Sequence, residues 1–350
     1  MANQAAWIPS AKAQLEIKYA PLPKPQANEV LIQNKVVAIN PIDYKIQQYG
    51  AIIQNYPAIL GFESSGIVQA VGSAVTRFKK ADRVAALSVS IRTNNTANAS
   101  FQTYMTAPEN VVACIPDSLP FTNAAVLPLG LATAAAGLYQ PEYLHLTPPS
   151  NTATPGPEEK SKEKVVLIWG GSSAVGSSCI QLCATAGLFV LTTCSSKNFD
   201  YVRDLGADLV FDYTSPSVVE DIISAIEASG KRIVAVYDTI SSEDTAKQSA
   251  EVLHRFGGGR MAATGPQYPA TLLLGDVERF FVQIPGTKSD GTAQVWMEVW
   301  REFMEEGLRS GKLRAKPEPI VKEGGLGGVQ GAMDVLREGG VSAAKIVVTL

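Results

Sequence analysis

Residues 165–176, Val165-Val-Leu-Ile-Trp-Gly-Gly-Ser-Ser-Ala-Val-Gly176, run from an apolar stretch into a turn of small residues and then into a helix predicted over 177–187. A continuous apolar strand is one buried on both faces, which places it in a parallel sheet covered by helices. Small residues let the backbone approach a pyrophosphate, and the amides and dipole of a helix N-terminus bind its charge. The turn is not a strict GxGxxG, because Ser172 and Ser173 stand where a stricter fingerprint has glycine. A tight strand-to-helix connection is the plain structural alternative; placement at the first crossover of a βα series favours the nucleotide reading. Gly170, Gly171, Ser172, Ser173, Ala174, Val175 and Gly176 are therefore candidate cofactor contacts.

The texture on either side of this motif differs. From residue 165 onward, strands predicted at 165–169, 189–193, 209–211, 233–237 and 259–264, with a sixth at 280–284, alternate with helical stretches, the pattern of a doubly wound parallel sheet. The first third instead carries short β-rich runs at 29–39, 66–71, 83–87 and 111–115, which suggest a small barrel or sandwich. A chain of 350 residues accommodates both, at roughly 100–200 residues per domain. The boundary lies near the apolar segment 124–139, too short and too interrupted by Pro128 and Gly130 to read as a membrane span. Residues 147–164 have a linker's composition but the position of a surface loop. A helix at 296–309 and a last strand at 345–350 follow, rejoining the N-terminal domain.

With 46% apolar and 18% charged residues and a net charge of −3, neither nucleic acid nor an anionic membrane is an expected partner. Residues 1–19 lack the basic and apolar regions of a secretory signal, so the expected compartment is cytoplasmic. Cysteines 114, 179, 183 and 194 form no CxxC pair, and His145 and His254 stand in no ligand spacing with each other or with a cysteine. No metal is expected. Cys179 and Cys183, four apart on the helix after the turn, read as small apolar residues packed on the sheet.

The second strand ends in Thr192-Thr-Cys-Ser-Ser-Lys-Asn198. An NAD-preferring site usually places a carboxylate here for the ribose 2′-OH, and this chain has Ser195. Ser195, Ser196 and Asn198 supply donors and Lys197 adds charge, which suits a 2′-phosphate. The expected cofactor is NADPH, with a solvated turn that happens to contain lysine as the alternative.

With Val36-Val-Ala-Ile-Asn-Pro-Ile-Asp-Tyr-Lys45, Leu60-Gly-Phe-Glu-Ser-Ser-Gly-Ile-Val68 and the 169–176 turn in this order, the chain resembles the zinc-free quinone oxidoreductase and enoyl reductase branch of the medium-chain dehydrogenase/reductase superfamily. Within it, the chain looks most like the fungal trans-acting enoyl reductases of polyketide biosynthesis. The resemblance implies an α/β fold: a GroES-like β-barrel domain from 1–128 and 286–350, and a Rossmann NADPH-binding domain from 129–285, with nicotinamide and substrate in the cleft. Zinc-dependent relatives have a Cys ligand at the position of Asn40 and a His at that of Phe62. The resemblance also assigns Tyr213 to the 2′-phosphate, Asp43, Tyr44 and Lys45 to the nicotinamide side, and Ala344 and Lys345 to a C-terminal cofactor contact.

Reducing an enone or enoyl thioester requires a donor at the carbonyl oxygen and a proton for the α-carbon. Lys45 and Thr133 are candidates, each weighed against an ordinary surface lysine or a helix hydroxyl bonded to its own backbone. Tyr49 and Tyr56 are further candidates, because related reductases place a tyrosine acid in this loop. The expected function is NADPH-dependent, zinc-independent reduction of an activated double bond in a small-molecule substrate, with a polyketide synthase as a carrier of that substrate. The alternatives are an NADPH:quinone oxidoreductase and, in another class, a non-catalytic NADPH-binding protein with a structural or nucleic-acid-binding role. Residues 280–284 allow a homodimer by sheet extension, as in the family, or serve as a plain core strand.

Overall fold

The computed structural model describes residues 2–53, 55–149, 162–266, 268, 273–284 and 294–350, without the side chains of 294–298. The linker-like stretch 150–161 lies outside the described residues. The chain divides into two compact units, one taking the residues up to Leu129 and those from Arg301 onward, the other Gly130–Ile284 and the residues leading to Trp300.

In the first unit, β1 (Asn3–Ile8), β2 (Glu16–Ala20) and β4 (Ala58–Ile59) form a small antiparallel sheet ordered β2-β1-β4. A larger sheet takes β3 (Glu29–Ala38), β5 (Glu63–Val71), β6 (Arg83–Leu87), β7 (Tyr104–Pro108) and β8 (Val112–Cys114), joined by β15 (Glu318–Lys322) and β16 (Ala344–Thr349) from the C-terminal end. Its order is β15-β16-β3-β5-β6-β8, with β7 paired to β3. β5 begins three residues before the expected 66, because Glu63 pairs with Leu87 at the far end of β6. Helices α1 (Pro41–Tyr49), α2 (Ser90–Thr93), α3 (Phe121–Ala124) and α10 (Val329–Glu338) complete the unit. α1 starts where Asn40-Pro41 demands a turn: Pro41 supplies a φ suited to the first helical position and its missing N–H costs nothing there. It stops at Gly50, whose φ of 64° favours glycine. Ile46 on α1 and Met333 on α10 are buried in one apolar cluster with Ile8, Leu60 and Phe101, each such side chain contributing about 1.5–3 kcal/mol.

The second unit is an all-parallel six-stranded sheet in the order β11-β10-β9-β12-β13-β14. Its strands are β9 (Lys164–Trp169), β10 (Phe189–Cys194), β11 (Leu209–Asp212), β12 (Arg232–Asp238), β13 (Gly259–Ala263) and β14 (Val277–Phe281). Counted from β9 the order is 3-2-1-4-5-6, a dinucleotide-binding topology whose direction reverses between β9 and β12. Helices α5 (Ala174–Thr185), α6 (Phe199–Asp204), α7 (Val218–Ser229) and α8 (Glu243–Arg255) connect the strands. Ile222 and Ile226 of α7 and Leu253 of α8 bury Val165, Leu167 and Trp169 on one face. On the other face, α4 (Pro128–Tyr139) approaches so closely that a Cβ on Gly137 would lie 2.5 Å from the Tyr237 hydroxyl. The segment 121–139 is long and apolar enough to cross a membrane, but it is broken between α3 and α4 and mostly buried. α9 (Gln294–Ser310) spans the change of unit at Arg301.

Two boundaries in this unit differ from expectation. α5 starts at Ala174 rather than 177, because Ser173 Oγ accepts the Gly176 N–H at 2.9 Å and caps the helix early. β14 covers 277–281 rather than 280–284, because its register is set by β13, with Gly259 opposite Val277 and Ala263 opposite Phe281.

Candidate active site

Gly170 has φ 84°, a conformation that disfavours any side chain, and a Cβ there would meet Ile240 at 2.5 Å. At Gly171 a Cβ would lie 2.1 Å from Thr192 Oγ1. The turn after β9 is therefore built for backbone approach. Its own hydrogen bonds go inward: Gly170 N–H to Thr193 Oγ1 at 3.0 Å, Gly171 N–H to Thr193 O at 2.9 Å, and Ser173 N–H to Gly170 O at 3.0 Å. The amides of Ala174 and Val175, in the first turn of α5, have no carbonyl one turn earlier to bond. Such amides at a strand-to-helix turn are the donors an anionic pyrophosphate needs, so the residues present fit a dinucleotide.

Thr239, at the end of β12, was not singled out in the sequence. Its Oγ1 lies 2.8 Å from Trp169 O, 2.9 Å from Gly170 O and 2.9 Å from Ser173 Oγ, tying the turn across the switch point. Asp238 holds the same loop, accepting from Ile240 N, Ser241 N and Thr245 Oγ1 at 2.8–3.0 Å, while burial raises its carboxyl above the ordinary range. A signal existed in Asp238-Thr-Ile-Ser-Ser242, a polar run at a strand's carboxyl end. At the tip of β10, Asn198 is buried and Ser195 half-buried, Ser196 and Lys197 are exposed, and Tyr213 is 52% exposed beyond β11. Cys179 and Cys183 are buried behind the turn, and burial pushes the Cys183 thiol up to about 12.

The first unit holds a different cluster. Asp43 and Glu63 are fully buried, Lys345 is 4% exposed and Asn40 5%. Glu63 accepts from Asn40 Nδ2 at 2.7 Å, from Leu129 N–H at 2.7 Å and from the Lys345 ammonium, which also lies 3.4 Å from Val126 O. Asp43 accepts from Asn40 N–H at 2.8 Å and from Gly61 N–H at 3.2 Å. Burial pushes the Asp43 carboxyl up to about 8, with Glu63 adding to the rise and Lys345 opposing it. Glu63 stood inside the Leu60–Val68 motif without an assigned role; only the folded chain brings β5, α1 and β16 onto its carboxylate. This donor set does not fit zinc: an amide nitrogen and an ammonium sit on Glu63, and Phe62 offers no ligand atom. Among the described residues no group of three or more His, Cys, Asp or Glu is arranged to hold a metal ion.

Lys45 and Tyr49 are exposed on α1, and Tyr44 beside them is half-buried, its phenol raised by burial and by Tyr49. The Tyr56 hydroxyl is buried and has no hydrogen-bond partner among the described residues. Ala344 opens β16 opposite Glu318. Thr133, in the second unit, is half-buried, and its carbonyl accepts the Tyr237 hydroxyl at 2.8 Å.

A parallel sheet in this order, carrying a small-residue turn at its switch point, defines a dinucleotide-binding domain. Residues 26–117 match the alcohol dehydrogenase GroES-like domain and residues 174–289 the family described as zinc-binding dehydrogenase. The chain is 41% identical to the trans-enoyl reductase himH of Aspergillus japonicus, over 99% of this chain and 97% of that one. It is 38% identical to the dehydrogenase pigH of Monascus ruber over 99% of both. Among solved structures, an alcohol dehydrogenase superfamily protein from Novosphingobium aromaticivorans superposes with a TM-score of 0.79 at 25% identity, over 99% of each chain. The chain belongs to the medium-chain dehydrogenase/reductase family, in the branch that contains the fungal trans-enoyl reductases. Membership implies a nicotinamide cofactor.

Proposed function

We propose that this protein is an NADPH-dependent, zinc-independent reductase of an activated double bond, acting on an enone or enoyl thioester such as a polyketide intermediate carried by a synthase. The observation that supports the reading is Glu63: its carboxylate is engaged by Asn40, Leu129 and Lys345, an arrangement that favours polarising a carbonyl substrate by hydrogen-bond donors over polarising it by a metal. A conjugated alkene suits that constraint, because charge develops on a carbonyl oxygen that an ammonium or hydroxyl can meet. The name of himH supports the same class. Bound NADPH would supply the hydride, held by the turn 170–176 and by Ser195, Ser196, Lys197, Asn198 and Tyr213, whereas Asp43 and Lys345 are buried on partners of their own. The candidate donor to the developing enolate oxygen is Lys45, with Thr133 a second candidate and Tyr49 or Tyr56 the source of the α-carbon proton. β14 is the outer strand of its sheet among the described residues, and pairing of two such edges across a two-fold axis would give a homodimer.

The test is NADPH oxidation followed by absorbance with enoyl thioesters, enones and quinones, in parallel with NADH and with a chelator. Chelator-insensitive turnover of enoyl thioesters with NADPH is the expected result. Turnover confined to quinones, or lost with the chelator, overturns the reading.

A further inference from the structure

β14 has β13 on one side and no strand on the other among the described residues. Asp276 O accepts Gly259 N–H, and Val282 N–H donates to Ala263 O, both at 2.9 Å. Even-numbered residues therefore face β13, and residues 279, 281 and 283 turn their backbone groups outward, where a further strand would pair. At Gln283 a side chain has taken that place. The Tyr143 hydroxyl accepts Gln283 N–H at 3.0 Å and donates to Gln283 O at 3.2 Å, the two-way exchange that an opposing residue makes in an antiparallel pair.

Tyr143 is held in position from two directions. It belongs to the segment after α4, which folds back on that helix: Tyr143 N–H donates to Gln140 O at 3.0 Å, Leu144 N–H to Gly137 O at 3.1 Å and Leu146 N–H to Leu138 O at 2.8 Å, with the Leu144 side chain buried. From β13, Arg260 donates to Pro141 O and Glu142 O, each at 3.0 Å, and its guanidinium lies 4.6 Å from the centre of the Phe280 ring. The Tyr143 ring meets that same ring edge-on at 6.5 Å. Residues 141–146 thus form a strap from the end of α4 to the end of β14, one of the ways in which a sheet edge is covered.

We infer that Tyr143 caps the outer edge of β14 against pairing with a second copy of this chain, and that the edge becomes a self-association surface only when the phenol leaves Gln283. A two-fold axis repeats every contact, so both phenols must leave together. The homodimer proposed above then forms by this edge only with the strap displaced, whatever reaction the protein carries out.

The experiment measures self-association of the full chain by sedimentation equilibrium over a range of concentrations, with circular dichroism showing that each variant is folded. Tyr143→Ala is expected to tighten dimerisation about 10-fold or more, since each copy regains two backbone hydrogen bonds to offer. Tyr143→Phe removes only the hydroxyl and shifts dimerisation the same way by about 3-fold or more, which carries the test if the alanine variant does not fold. Gln283→Pro deletes the outward N–H of an exposed residue. Added to either variant, it returns dimerisation to the level of the unaltered protein. Dimerisation unchanged in the folded Tyr143 variants overturns the inference, as does a gain that survives Gln283→Pro, which would place the contact elsewhere on the surface.

Discussion

Around the turn after β9 the side chains bonded to the turn itself are neutral, the hydroxyls of Thr193, Ser173 and Thr239, and the one buried carboxyl nearby, Asp238, is spent on its own loop. Around Glu63 they are ionisable, with two carboxyls and one ammonium almost wholly removed from water. The contrast reflects cost. A neutral hydroxyl is satisfied by one or two partners and leaves nearby amides uncommitted for an anion. A buried carboxylate is tolerated only when its lone pairs are filled by nearby donors, so Glu63 draws on three separate elements and has little left to offer a ligand. The first arrangement suits binding; the second ties Asn40, Leu129 and Lys345 to one carboxylate.

Lys345→Met breaks the ionic side of the comparison most severely. It leaves Glu63 without its counter-ion, and chemical denaturation should register a loss of about 3–5 kcal/mol, with Glu63→Gln added to it restoring part. A denaturation result within experimental error of the parent would mean that the pair does not hold the unit together. Stability should also fall with pH. Asp43 binds its proton more tightly folded than unfolded, so its contribution is complete below about pH 3.8 and is lost as pH rises through about 8. The slope is up to about 1.4 kcal/mol per pH unit. Asp43→Asn should flatten that slope; a parent slope of opposite sign in this window would mean the carboxyl is ionised.

On the neutral side, Gly171→Ala forces a Cβ to 2.1 Å from Thr192 Oγ1. A destabilisation of about 1–3 kcal/mol is expected, together with loss of dinucleotide binding measured by fluorescence titration; unchanged binding would remove the turn from the site. The smallest effect is expected at Tyr56. Its hydroxyl has no partner among the described residues, so Tyr56→Phe should change stability by less than about 1 kcal/mol. A fall in turnover in that folded variant would identify the phenol as a proton donor, and full activity would leave Tyr49 as the candidate.

The second unit was largely legible because its signals are local. A buried parallel strand is apolar along its whole length and a phosphate turn is contiguous, so β9, β10, β12 and β13 and the residues 170–176 could be read one after another. Where reading failed, pairing had the last word: β14 lies three residues early because β13 sets its register. In the first unit β1, β2, β4, β7 and β15 carry no strong pattern of their own and exist as strands through their partners.

The same division runs through the candidate site. Sequence by itself determined the family, the two-part architecture and the small-residue turn, because each is written in residues adjacent along the chain. Only the tertiary structure decided what Glu63, Lys345 and Thr239 do. Lys345 reaches Glu63 across 282 positions of sequence, and Thr239 reaches Gly170 across 69. Which proton goes to which oxygen is settled by distances of about 3 Å, and those appear only when strands remote in sequence become neighbours in space.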